Sequence, residues 1–157
     1  MGSIFWNEEQ LKRWKKELEE MFPNLPPYEA VLQTSDNTPN AMISDEEIHI
    51  RLQLKNTDSK VISIFAGFTL KRMPSANLLC SVSMYVADSA GGQSFRRRGI
   101  ATELAWFKKR VAKEMGYAGL LATVSKHNKE EQGLLKKTHW KVLQEFEHFS
   151  LWSTFPE

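Results

Sequence analysis

Leu11, Trp14, Leu18 and Met21 recur at intervals of three and four residues, the spacing that lines one face of an α-helix. Asn7 followed by Gln10 makes a capping-box-like start. Pro23, Pro26 and Pro27 end the helix, since proline can neither donate to it nor continue it. Beyond them the period shortens. Glu29–Gln33 predicts a short strand, and Glu47–Lys55 sets Ile48, Ile50, Leu52 and Leu54 against His49, Arg51 and Gln53, the pattern of a half-buried strand. Val61–Arg72 predicts a longer strand, apolar in part on both faces and closed by Pro74, and Asn77–Ala87 another. The polar stretch Thr34–Asp45 reads as loop, Asn56–Lys60 as turn, and Asp88–Ser94, with Gly91 and Gly92, as loop.

From Gly99 to Met115 the period is helical again. Ile100, Leu104, Phe107, Val111 and Met115 form the apolar stripe, Lys108, Lys109 and Lys113 lie off it, and Gly116 is the stop. Tyr117–Val124 predicts a strand, Lys129–Thr138 a brief helix, and Trp140–Phe146 and His148–Phe155 two further strands. A helix, then strands, then strand–helix–strand–helix–strand–strand implies an α/β architecture, a mixed sheet with helices on its faces. Its strand–turn–helix–strand unit over residues 78–124 places a helix N-terminus beside the carboxyl end of a strand, where open sheets bind ligands.

Composition adds limits. The chain has 157 residues, one ordinary domain's worth, and 41% hydrophobic content is enough for a core. The longest apolar run, over residues 61–70, is half of what a membrane span needs, which predicts a soluble protein. The opening Met1-Gly2-Ser3 lacks the blocks of a signal peptide, reads equally as a cloning remnant, and stays outside the fold reading. Cys80 is the only cysteine, which rules out an intrachain disulfide, argues against a cysteine zinc site and fits a reducing cytoplasm. His127, His139 and His148 do not have metal-site spacing, so no metal is expected. Trp14, Phe107, Trp140 and Trp152 read as core. Charge is uneven: residues 1–92 carry 9 Lys and Arg against 12 Asp and Glu, while residues 93–141 carry 12 against 4. Such an excess suits either a polyanionic partner or a solvated helix face.

The residues that carry chemistry are Arg96-Arg97-Arg98-Gly99-Ile100-Ala101-Thr102, at the junction of loop and long helix. A helix start leaves backbone N–H groups unpaired, with the positive end of the helix dipole behind them. Gly99 and Ala101 are small enough for close approach, and three arginines add charge-assisted donors, which suits either a pyrophosphate cradle or, on these residues alone, a plain surface cluster of arginines.

In this context, Arg96-x-x-Gly99-x-Ala101 after a strand ending in Val86 resembles the signature of the GCN5-related N-acetyltransferase (GNAT) family, and Val124 and Asn128 resemble its later Val and Asn. The resemblance covers residues 78–146. It implies a single acetyltransferase-like domain over 1–157, with a mixed, mostly antiparallel sheet and helices on both faces, that binds acetyl-CoA. It also implies that Met84, Tyr85 and Val86 pair with the pantetheine arm at a splay in the sheet. Backbone groups from Arg97 to Thr102 would hold the pyrophosphate. Arg96, its neighbouring arginines and nearby lysines would suit the remaining phosphate, and Asn128 would contact the cofactor or orient the leaving thiol.

The departures from the family are specific. Val86 and Arg96 are ten residues apart, which is longer than usual, so Asp88–Gly92 is an insertion near the cofactor. Leu135 stands where the family commonly has its proton-donating Tyr, and His139-Trp140 where it has Gly-Phe. Cys80 stands where histone-type relatives carry a Glu base. For a base this leaves Tyr85, Asp88, Glu47 and His49, with Tyr85 and Asp88 the catalytic candidates. The implied function is transfer of acetyl from acetyl-CoA to a primary amine by direct attack. The alternatives are modification of a nucleobase or of a host macromolecule on the same fold, or a non-catalytic CoA-binding module. A nucleic-acid or protein acceptor and a monomer or homodimer are all compatible with the sequence.

Overall fold

The computed structural model describes residues 6–35, 43–55, 63–90 and 92–156. The turn expected over 56–60, strand residues 61 and 62, most of the loop expected over 34–45 and the chain's first five residues lie outside them.

Helix α1 (Glu8–Glu20) begins where Asn7, in extended backbone, accepts the N–H groups of Glu9 and Gln10 at 2.8 and 3.3 Å. A cap of this kind satisfies donors that a helix start leaves without partners and contributes about 1 kcal/mol. Trp14 and Leu18 are buried, while Leu11 and Met21 are half-buried. Strand β1 (Tyr28–Gln33) lies against this helix: the Tyr28 hydroxyl donates to the Leu18 carbonyl, and the Glu19 carboxylate accepts the Ala30 N–H at 3.1 Å.

The remaining elements follow in the predicted order: β2 (Glu47–Leu54), β3 (Ser63–Met73), β4 (Leu78–Val86), β5 (Ser89–Ala90), β6 (Gln93–Ser94), α2 (Ile100–Glu114), β7 (Gly119–Ser125), α3 (Lys129–Lys137), β8 (Lys141–Glu145) and β9 (Phe149–Thr154). Seven strands make one mixed sheet in the order β1-β2-β3-β4-β7-β9-β8. β4 and β7 are parallel, as a helical crossover requires. The pairs β1–β2, β7–β9 and β8–β9 are antiparallel. One segment departs from expectation. Asp88–Ser94 is not plain loop but holds the ribbon β5–β6, pairing Ser89 with Ser94 and Ala90 with Gln93. Gly92 turns it at φ +79°, and the Phe95 N–H closes it on the Asp88 carbonyl at 3.0 Å.

Two compact units form. One takes Phe5–Thr69 and Ser83–Ile100, the other Leu70–Val82 and Ala101–Glu157. In the first, Ile48, Ile50 and Leu52 of β2 are buried, as the alternation predicts, together with Trp14, Leu18, Tyr28 and Phe65. In the second, Leu104, Phe107, Val111, Met115, Trp140 and Trp152 are buried. No helix among the described residues is long and apolar enough to cross a membrane.

Two lysines of α2 contradict the helical reading. Lys113 is exposed as expected, but Lys108 and Lys109 are only 3% and 1% exposed. Ala105 and Ala112 are buried too, so burial wraps a wider arc of the helix than its apolar stripe. Lys109 is accommodated by a cation–π contact, its Nζ 4.7 Å from the Trp106 ring centroid. Burial pushes the Lys108 ammonium down to about 7, against the opposing pull of the Glu131 carboxylate on α3. A free lysine titrates near 10.4, so unfolding takes up a proton between those two values, and this group's contribution to stability rises with pH across that window. We expect Lys108→Met to flatten the rise in melting temperature between about pH 7 and pH 9, measured by thermal denaturation of both proteins.

Candidate cofactor-binding site

Between β6 and α2 the chain exposes Arg96, Arg97, Arg98 and Gly99 in succession, bracketed by Phe95 at 1% exposure and Ile100 at 2%. Phe95 stacks on Phe65 of β3 at 4.5 Å between ring centroids and 10° between planes, and Phe65 in turn meets the edge of Tyr28. The loop is thus fastened at both ends by apolar burial, worth roughly 1.5–3 kcal/mol per large side chain.

Between these anchors the backbone alternates. Arg97 has φ +57° and Gly99 φ +74°, while Arg96 and Arg98 do not have positive φ. Alternating handedness turns successive N–H groups toward one concave side, the anion-binding nest. Arg96 and Arg97 form a tight turn, and the exposed residues Arg98 and Gly99 then lead into α2. The N–H groups of Ala101 and Thr102 lie in the first turn of α2, where no intrahelical acceptor exists. A Cβ built on Gly99 would meet no atom within 4 Å, so glycine is needed there for its φ, and the space against its backbone is open.

The arginines differ in what holds them. Arg98 lies over the Phe95 ring at 5.6 Å. Arg96 Nε donates to Asp88 Oδ1 at 2.7 Å, a largely exposed pair worth about 0–1 kcal/mol that ties the two ends of the ribbon. Asp88 is therefore occupied in closing the insertion through both its carboxylate and its carbonyl. Lys108 and Lys109 are buried in later turns of α2 and are not surface ligands for a phosphate.

The strand expected to meet the pantetheine arm carries its own irregularity. β4 pairs with β7 over Leu78–Ser81, and Ser83 then adopts φ +54°, a left-handed residue inside a strand, just before Met84, Tyr85 and Val86. The Tyr85 ring lies over Gly67 of β3. A Cβ there would come within 2.9 Å of the ring and 3.1 Å of the Ile50 carbonyl. Burial pushes the Tyr85 phenol up, with Arg51 of β2 pulling it down, so the group is protonated at neutral pH and can give a proton rather than take one. The same polar face of β2 carries Glu47 and His49, whose Oε2 and Nε2 lie 3.1 Å apart. Burial likewise pushes up the Cys80 thiol, against the pull of Lys71, and its sulfur lies 3.1 Å from the Met73 thioether.

In the other unit, Asn128 caps α3. Its Oδ1 accepts the Glu131 N–H at 3.1 Å and its Nδ2 donates to Glu131 Oε2 at 3.0 Å. Leu135 is buried core, not a polar position. α3 ends in a Schellman turn: Trp140 N–H reaches the Leu135 carbonyl at 2.8 Å, His139 N–H reaches that of Lys136 at 3.2 Å, and His139 sits at φ +68°. The left-handed conformation that favours glycine is kept at the place where the resemblance expects a Gly.

No protein-family model matches the sequence, and no curated protein does. Solved structures match its shape. An IAA acetyltransferase from Bacillus cereus superposes with a TM-score of 0.58 at 11% identity, covering 82% of this chain and 99% of that one. The PaiA N-acetyltransferase of Thermoplasma acidophilum, in complex with coenzyme A, gives 0.55 at 13% identity over 96% and 80% of the two chains. The Campylobacter jejuni N-acetyltransferase PseH, in complex with acetyl coenzyme A, gives 0.52 at 12% over 73% and 71%. The chain has the GNAT fold.

In that fold the short two-stranded ribbon β5–β6 occupies the extra length between strand and signature arginine. The features hidden from the sequence were the Phe65–Phe95 stack and the left-handed Ser83. Gly67 was a readable signal, since a glycine inside an apolar strand marks close approach of another group. His139→Gly should stabilise the protein by about 1 kcal/mol by removing the left-handed penalty, read from the midpoint of urea unfolding.

Proposed function

We propose that this GNAT-fold chain is a single-domain acetyltransferase that takes its acetyl group from acetyl-CoA and delivers it to a primary amine. The observation that carries the reading is the pinned loop: four consecutive exposed residues ahead of α2, left-handed turns at Arg97 and Gly99, and buried anchors on either side. Such an array suits a diphosphate, because each N–H is a fixed donor and the helix dipole adds positive potential. Arg96, Arg97 and Arg98 supply further positive charge around it, and Met84, Tyr85 and Val86 line the pantetheine arm.

Acetyl-CoA, when bound, supplies a thioester already activated toward amines. The chain's own residues then place the acceptor and move protons. A backbone N–H near Val86 polarises the acetyl carbonyl. Tyr85, a phenol that is protonated at neutral pH and that partial desolvation pushes further up, donates to the departing sulfur, the task that Leu135 cannot perform. Glu47 and His49, paired on the polar face of β2, take the proton that an ammonium acceptor must lose.

Titration calorimetry with acetyl-CoA tests the cradle directly. The native chain is expected to bind, and Gly99→Val to bind at least about tenfold more weakly with an unchanged circular dichroism spectrum, because a branched side chain cannot hold φ +74°. No heat from the native chain would remove the proposal. Tyr85→Phe is expected to leave that affinity intact and to slow thiol release with a panel of primary amines by about a hundredfold, the low end of proton-transfer catalysis.

A further inference from the structure

Strand β8 lies at the end of the seven-stranded sheet, and every residue from Lys141 to Phe149 is exposed. This edge is apolar where an edge strand is ordinarily guarded: Val142 is 42% exposed and Leu143 61%. The turn beyond it stacks Phe146 on Phe149 at 4.7 Å with both rings more than a third exposed, and Phe155, just past β9, is 78% exposed. Isolated exposed apolar residues are ordinary, but a run of them along one free edge marks a contact surface.

The register shows which partner fits. β8 reads Lys141-Val142-Leu143-Gln144-Glu145, with one basic and one acidic end about a central leucine. The bulge falls between Val142 and Gln144, leaving Leu143 as the extra residue outside the β8–β9 ladder. Lys141 and the bulge discourage indiscriminate strand addition. A second copy of the same strand, running antiparallel about an axis at Leu143, satisfies both charged ends at once. It sets Lys141 against the other copy's Glu145, and Leu143 against itself. The apolar flanks match under the same operation. Lys141 pairs with Ser153, near Phe155, whereas Glu145 pairs with Ser150, beside Phe149. The two-fold therefore brings the Phe155 end of one copy to the Phe146–Phe149 end of the other.

We propose that two copies of this chain associate as a symmetric dimer through antiparallel β8 strands about Leu143, with Lys141 of each copy facing Glu145 of the other. Because the bulge kinks the strand, side chains around the axis make the contact, not an unbroken hydrogen-bond ladder. Such an isologous interface uses each pair twice, so one substitution acts at two places.

Sedimentation equilibrium of the full chain tests this without any ligand. The native protein should sediment as a dimer. Lys141→Glu alone and Glu145→Lys alone each set like charges opposite one another twice and should raise the dissociation constant at least about tenfold. The double variant carrying both exchanges restores opposite charges and should return the dimer, and Leu143→Lys should give monomer. Circular dichroism and melting temperature confirm that each variant is folded; should Leu143→Lys fail to fold, the charge exchanges decide alone. A monomeric native chain would overturn the proposal. So would single exchanges that leave the mass unchanged, or a double exchange that stays monomeric when the singles dissociate.

Discussion

The face-to-face stack of Phe95 on Phe65 is the contact on which the candidate site depends. A loop that binds an anion through its backbone must already hold its amides in place, because ordering it at the moment of binding costs about 1–2 kcal/mol per residue. Four consecutive exposed residues, three of them arginines that repel one another, have no reason of their own to stay ordered. Burial of Phe95 on one side and Ile100 on the other supplies that order. The left-handed turns at Arg97 and Gly99 then direct the amides, and the Asp88–Arg96 pair closes the ribbon behind them. The aromatic contact is remote from any phosphate chemistry, yet it sets the geometry of the donors.

Burial also redistributes the charge that the sequence displays. The positive excess over residues 93–141 looks like one basic surface when residues are only counted. In the fold it divides: Arg96, Arg97 and Arg98 are exposed at the loop, whereas Lys108 and Lys109 are inside. A buried ammonium is costly unless it is neutralised or compensated. Lys109 leans on Trp106, and Lys108 has its titration drawn toward neutrality beside a half-buried Glu131. The basic stretch is therefore weaker support for a polyanionic macromolecule than its composition suggests, and stronger support for a small ligand at the loop.

Where the sequence departs from the family pattern, the backbone often keeps the geometry. His139 replaces a glycine and still adopts the left-handed conformation, because the Schellman turn of α3 imposes it. Leu135 and Trp140 are both core. Position Cys80, where the resemblance sets a Glu in histone-type relatives, holds a thiol packed on a thioether, and burial pushes its titration up. Glu47 and His49 on β2 are the acidic and imidazole groups brought together on a polar face.

Local rules were enough for the elements other than the β5–β6 ribbon. The Asn7 cap, the alternation in β2, the α2 stripe and the parallel crossover from β4 to β7 follow from residue spacing, because periodicity and capping act over a few neighbouring residues. The arginine–glycine junction was legible as the boundary between loop and α2 for the same reason. Other features depended on contacts between residues distant in sequence: the stack of Phe95 on Phe65, Tyr85 lying over Gly67, and the burial of two lysines that helical spacing places off the stripe. The sequence by itself therefore determined the order of the main strands and helices and the run of arginines and glycine that leads into α2. Only the tertiary structure decided which charges stay in water and which aromatic rings hold the loop, because burial is a property of what packs around a residue and not of the residue's neighbours in the chain.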